Sequence, residues 1–224
     1  MGKLWKDDNE LFAIARKELY TAVVGDIMDK LGLQHQFLPP RIQPLDREMV
    51  AVGRAMTVLE MDLAEDAPPG KPFGLMLDAL DDLRCNEIYL CTGGSPRYAL
   101  WGELMSTRAR KCGAVGAVVN GYSRDTKMIL AMRFPTFSRG SYAQDQAPRG
   151  AVADFRVPLE IGGVRVEHGD IVFADLDGVC IVPKQAEEEV FAGALEKARG
   201  EKTARKSLEA GMTARAVFEK YGIL

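Results

Sequence analysis

The sequence predicts an α/β domain, and three observations carry that expectation. Helix-like and strand-like patterns alternate between residues 73 and 140, the pattern turns to β after Gly150, and the chain closes on helix-like text. The 224 residues are 47% hydrophobic and 27% charged, which is enough apolar content for one substantial core. A single domain over residues 1–224 is therefore expected.

Residues 8–18 and 21–31 read as helices. The second carries Val23, Val24, Ile27, Met28 and Leu31 at helical spacing, opens on Thr21 as a cap and closes at Gly32. Asp26 and Asp29 on it read as a solvated charged face. Pro39, Pro40 and Pro44 mark an extended connection into a strand over residues 50–60, and residues 62–74 form the most loop-like stretch. A helix over residues 75–83 then leads to an apolar strand over 86–91, which ends at Gly93 and Gly94. The next helix begins near Gly102, runs through Cys112 to a stop at Gly113, and gives way at once to a strand over 114–121. Strand, helix and strand at these lengths form a βαβ-type unit, and ligands of such units gather beyond the carboxyl ends of the strands. A helix over 127–132 followed by extended residues 135–140 enlarges the sheet. After Gly150 the text is β, with a hairpin signal at Gly162 and Gly163. Helices over 185–208 and 213–221 end the chain. The acidic, lysine-rich first of these could leave the body of the fold and reach a neighbouring subunit.

Composition narrows the function. A net charge of -3 and a pI near 5.6 give no global drive toward nucleic acid or an anionic membrane, so small molecules or protein surfaces are the expected partners. The first residues lack a signal-peptide core and no stretch approaches a membrane span of roughly 20 apolar residues, so a cytoplasmic location is expected. Cys85, Cys91, Cys112 and Cys180 have no CxxC spacing and read as small packed hydrophobes. Only two histidines are present, which disfavours triads and most zinc sites; His35 and His168 read as loop positions.

The strongest functional signal is a carboxylate, Glu103, followed after twenty residues by the adjacent pair Arg124 and Asp125. A helix start, a buried strand and a tight loop between them bring the three charges toward one pocket. A cation beside two carboxylates suits joint binding of an oxyanion and a divalent metal. Taken singly, each has a plainer explanation: Arg124 and Asp125 as a surface ion pair, Glu103 as a first-turn glutamate complementing the helix dipole, and Gly93, Gly94 and Gly102 as turn glycines. Trp101 and Tyr98 read as packing residues.

The run from Trp101 to Asp125, together with residues 168–183, resembles the RraA-like family, which contains the 4-hydroxy-4-methyl-2-oxoglutarate and 4-carboxy-4-hydroxy-2-oxoadipate aldolases, metal-dependent class II pyruvate aldolases. The likeness extends in outline over nearly all of the chain. Where the family has an aspartate before the Arg-Asp pair, this chain has Glu103, a carboxylate one methylene longer. The resemblance implies an α-β-β-α sandwich resembling the swivelling β/β/α domain, assembled as a homotrimer or homohexamer with sites at subunit interfaces. By position it implies Asp125 as the ligand of Mg²⁺ or Mn²⁺, and Arg124 facing the keto oxygen of pyruvate. The amides of Leu104 and Met105, following Gly102, would hold the pyruvate carboxylate. A glutamate from the neighbour's terminal helix would complete the site, with Glu201 preferred to Glu196.

Physical chemistry agrees with that transfer. Cleavage next to a hydroxyl leaves pyruvate enolate with its charge on the former keto oxygen, where a cation must be waiting; oxaloacetate decarboxylation makes the same demand. Mg²⁺ takes oxygen ligands and keeps several waters, so a histidine-poor chain suffices. Three alternatives stand beside this reading: a non-catalytic regulator binding ribonuclease E, as in part of the family; a class I aldolase using Lys111 or Lys127; and a methyltransferase, disfavoured because no glycine-rich cofactor loop follows an early strand.

Overall fold

The structure is a computed structural model and describes residues 4–64 and 73–223. The expected loop over residues 62–74 therefore falls mostly outside the described residues. The elements run α1 (Asp8–Glu18), α2 (Thr21–Lys30), β1 (Gln43–Pro44), β2 (Ala51–Asp62), α3 (Met76–Asp81), β3 (Glu87–Thr92), β4 (Ala99–Trp101) and α4 (Glu103–Lys111). They continue with β5 (Gly116–Val119), β6 (Tyr122–Ser123), α5 (Thr126–Met132), β7 (Thr136–Ser138), β8 (Gly150–Phe155), β9 (Leu159–Ile161) and β10 (Val164–Val166). β11 (Ile171–Asp175), β12 (Gly178–Val182), α6 (Glu187–Glu209) and α7 (Ala214–Tyr221) complete the fold.

One large sheet has the order β1-β7-β5-β3-β2-β11-β12, with β8 pairing a further stretch of β2. β2, β3, β5 and β7 are parallel, as the helix-strand alternation requires, while the strands drawn from the β-rich second half join antiparallel. The side-chain period of two then divides the strands between layers. Leu90, Val118, Val172 and Ile181 point into an inner core shared by both flanks of the sheet. From the same strands Phe173 and Cys180 face α1, α2 and α6, whereas Tyr89, Cys91 and Val119 face α3, α4 and α5. This is the α-β-β-α arrangement that the family resemblance implies. The Gly162 and Gly163 hairpin is also present, pairing β9 with β10.

Two local readings need correction. Thr21 is the first helical residue, not the cap; its amide and hydroxyl donate to Asp175 at 2.8 and 2.5 Å, which ties α2 to the β11–β12 turn. The β text after Gly150 is also interrupted, at Arg156, whose left-handed backbone (φ 57°) breaks the run while its guanidinium reaches Asp82 and Glu87.

Candidate active site

The site depends on a pairing too short to read from sequence. β4 and β6 run parallel with Trp101 opposite Ser123, and the Arg124 amide donates to the Trp101 carbonyl at 2.8 Å. The loop leaving the β5 strand is thereby fixed against the chain entering α4. Trp101 anchors this joint: it is 2% exposed, packs on Tyr89 and Phe134, and donates from Nε1 to Ser106 Oγ at 2.7 Å.

Asp125 occupies the N-cap position of α5 in a left-handed conformation (φ 56°, ψ 30°), yet its side chain does not cap that helix. Its Oδ2 instead accepts from the Glu103 amide at the start of α4, at 3.3 Å. A non-glycine residue in this region costs about 1 kcal/mol or more, so the neighbouring structure must hold it there. Gly102 is part of that arrangement, because a Cβ at this position would lie 2.9 Å from Asp125 Oδ2. The glycine is needed for close approach of the carboxylate, not for a turn. The Leu104 and Met105 amides have no acceptor among the described residues, so they face outward as unpaired donors of a helix N-terminus.

Arg124 stands beside this helix start with Nε 3.7 Å from Asp125 Oδ2 and Nη1 3.1 Å from Asp145 Oδ1. All three side chains are a third to a half exposed. Exposed pairs of this kind contribute roughly 0–1 kcal/mol, so stability alone is a weak reason to gather them. They open into a cleft of about 410 Å³, walled also by Gly102, Leu104, Met105, Gln146 and the apolar side chains of Leu77, Leu80 and Trp101. Leu104 and Leu77, at 77% and 58% exposure, put apolar surface at its rim.

The sequence-predicted residues divide accordingly. Gly102, Leu104, Met105, Arg124 and Asp125 converge on one cleft. Glu103 contributes its amide there, but its carboxylate turns along α4 to accept from Thr107 Oγ1 at 3.0 Å. Glu201 does not line the cleft of its own chain; on α6 it accepts from the Tyr20 hydroxyl and lies 3.8 Å from Lys197 Nζ. Asp145 and Gln146 were missed, since nothing in the loop between β7 and β8 marks them as chemical before folding carries them to Arg124. Among the described residues no lysine lines the cleft, and Lys111 and Lys127 are not part of it. Among the described residues no three His, Cys, Asp or Glu side chains cluster as a ready metal cage. Of the carboxylates that line the cleft, Asp81 pairs with Arg108 at 2.7 Å and Asp145 with Arg124 at 3.1 Å, while Asp125 lies 3.7 Å from Arg124; a hard cation that retains waters is the kind one carboxylate can hold. Burial pushes the thiols of Cys91 and Cys180 well up, leaving them protonated and inert. No helix among the described residues is long and apolar enough to cross a membrane.

The family model "Aldolase/RraA" matches residues 21–181, and the chain belongs to the RraA-like family. A Halalkalibacterium halodurans protein provisionally named a 4-hydroxy-4-methyl-2-oxoglutarate aldolase is 30% identical over 201 residues, covering 89% of this chain and 90% of the relative. Legionella pneumophila protein DlpA is 27% identical over 202 residues; these cover 90% of this chain but only 32% of DlpA, so the chain spans about a third of that relative's length. The crystal structure of Streptomyces coelicolor RraAS2, described as an unusual member of the RNase ES inhibitor RraA family, superposes with a TM-score of 0.80. It is 23% identical, with 90% of this chain and 100% of that one covered, and the likeness establishes the fold.

Proposed function

We propose that the chain is a divalent-metal-dependent pyruvate aldolase. It would cleave 4-hydroxy-2-oxo diacids of the 4-hydroxy-4-methyl-2-oxoglutarate or 4-carboxy-4-hydroxy-2-oxoadipate type to pyruvate and a second oxo acid, with oxaloacetate decarboxylation as a side activity. The carrying observation is the convergence of the Arg124 guanidinium, the free Leu104 and Met105 amides and the Asp125 carboxylate on one cleft. The names of relatives such as the Halalkalibacterium protein support the same chemistry.

The substrate's 1-carboxylate takes the Leu104 and Met105 amides, where the positive end of the α4 dipole adds to their donors. That placement sets the 2-keto oxygen against Arg124. As the bond between C3 and C4 breaks, the hydroxyl proton passes to a carboxylate base and the C4 oxygen becomes the carbonyl of the departing oxo acid. The bonding pair moves into the C2–C3 bond and onto the keto oxygen, giving pyruvate enolate, and a proton then returns to C3. Arg124 donates to that oxygen as its charge develops, which is where a preorganised cation accelerates most. Asp125 would hold Mg²⁺ or Mn²⁺, which would supply further positive charge to the developing enolate. The base role falls to Glu103, whose carboxylate accepts from Thr107, or to Glu201 of an adjoining subunit in a homotrimer or homohexamer. The apolar rim of Leu77 and Leu104 suits coverage by such a neighbour.

The test is a panel of 4-hydroxy-2-oxo diacids and oxaloacetate assayed for released pyruvate with Mg²⁺ and after exhaustive chelation. Metal-dependent release is the expected result, with oxalate, a mimic of the planar enolate, competing. Release that survives chelation would exclude the class II chemistry. No release, together with capture of ribonuclease E, would favour the regulator reading that likeness to RraAS2 brings.

A further inference from the structure

Beyond the cleft wall lies an acid that the proposed mechanism does not use. Glu60, near the end of β2, is 2% exposed and projects among the side chains between the sheet and α3–α4. Its Oε2 accepts from Gln146 Nε2 at 2.6 Å, while its Oε1 has no partner among the described residues. Among those residues no cation compensates it. The titratable groups around it are the Tyr89 phenol and Cys91 thiol on β3 and the Tyr98 phenol ahead of β4, all held neutral by burial. Burial pushes the Glu60 carboxyl up to about 7, and the Gln146 hydrogen bond opposes that rise.

A buried acid with one hydrogen bond is costly to keep as mere filling. Its single donor has a second face: Gln146, next in sequence to the Asp145 that pairs with Arg124, is 4% exposed and lines the cleft. An ionised carboxylate is an acceptor only, so it dictates which end of the amide turns toward it. With Nε2 committed to Glu60, the oxygen is the end left for the cleft. It accepts from no described residue and is not among the fully enclosed unpartnered atoms.

We infer that Glu60 is a positioning residue that fixes the Gln146 amide so that its carbonyl oxygen shares the substrate's 4-hydroxyl hydrogen bond with the carboxylate base, orienting the hydroxyl while its one proton still passes to that base, which makes Gln146 a determinant of selectivity for hydroxy acids. The inference rests on the pyruvate aldolase reading above and deepens it. A neutral residue at position 60 can donate as well as accept, so the amide loses its fixed sense. The retained acceptor would also weaken as pH falls through the Glu60 transition.

Oxaloacetate, which has no 4-hydroxyl, provides the internal reference. The experiment measures kcat/KM for a 4-hydroxy-2-oxo diacid and for oxaloacetate across pH 6–8, in the wild-type chain, Glu60→Gln, Gln146→Leu and the double variant, with folding checked by circular dichroism. The expected result is a specificity ratio, hydroxy acid over oxaloacetate, that falls about tenfold in each single variant, the worth of one hydrogen bond. It should fall no further in the double variant. The ratio should rise with pH in the wild-type chain and be flat in Glu60→Gln. A ratio that Glu60→Gln leaves at the wild-type value, or losses that multiply in the double variant, would overturn the inference while leaving the aldolase reading intact. A wild-type chain that releases pyruvate from neither substrate would overturn that reading and the inference with it.

Discussion

Arg124 is the residue on which the proposed chemistry turns, and its environment predicts how substitutions behave. Arg124→Lys keeps a charge but loses the planar fork that can serve a keto oxygen and a carboxylate together, so turnover should fall by about a hundredfold while the melting temperature barely moves. Steady-state kinetics beside a melting curve would check it; near-normal turnover would make Arg124 a surface residue. Asp145 holds one guanidinium nitrogen at 3.1 Å and competes with any incoming anion. Asp145→Asn should therefore tighten oxalate binding by up to about fivefold, the worth of an exposed ion pair, as read by inhibition in the presence of Mg²⁺. Glu60 makes a prediction about stability rather than rate. Its carboxyl is raised from 4.5 to about 7 on folding, so the folded chain holds a proton that the unfolded chain releases between those values. Stability from this group is full below pH 4.5, declines as pH rises to 7, and stays at the lower level above. Glu60→Gln should match the wild-type chain near pH 4.5 and exceed it by about 3 kcal/mol at pH 8 in urea titrations. An equal difference at both pH values would show that the carboxyl is not the cause. The spacing of Glu103 from Arg124 and Asp125 located this region from sequence alone. It could not show that Glu103 contributes its amide while its carboxylate turns to Thr107, because the rotamer is set by a neighbour one helical turn on.

Among the elements, legibility followed length. α2, β2, α4, β5 and α6 each carry enough periodic apolar residues to be read, and the glycine pair between β9 and β10 announced its hairpin. β4 and β6, of three and two residues, carry no period at all, yet their pairing seats Arg124 against the α4 start. The loop that brings Asp145 and Gln146 is equally silent, since its placement depends on contacts distant in sequence, such as Gln146 with Glu60. Gly102 tests the local geometry. In Gly102→Ala the new Cβ would meet Asp125 Oδ2 at 2.9 Å, and the carboxylate would have to leave the Glu103 amide. The extended backbone at Gly102 accepts alanine without strain (φ -151°), so the fold should survive. The Mg²⁺ concentration for half-maximal activity should rise about tenfold or more, as expected when a carboxylate that would hold the ion is displaced. An unchanged metal titration would remove Asp125 from the metal's coordination shell.

For the whole molecule, the sheet's wrapping around an inner core was not visible in any single strand, because side chains on both faces are buried and periodicity cannot say which layer each one joins. The terminal helices pose the remaining structural problem. The first half of α6 packs on the body of its own chain through Val190, Phe191, Ala194, Leu195 and Ala198, while its last turns pack with α7. Glu201 sits where these regimes meet, holding Tyr20, whose phenol is pushed up to about 12 by burial and by that carboxylate. If Glu201 serves a neighbour's cleft, defects on different chains must complement. Arg124→Ala and Glu201→Ala proteins, each inactive, should regain partial pyruvate release when dissociated, mixed and reassembled, because some interfaces then join an intact cleft to an intact glutamate. Tyr20→Phe is the control, since it removes the intrachain bond and keeps the carboxylate; it should retain most activity. No recovery in verified mixed assemblies would place Glu201 within its own subunit's function or identify it as the wrong glutamate. Repeating the exchange with Glu196→Ala separates those outcomes, since recovery there would move the donated base about 1.4 helical turns toward the start of α6.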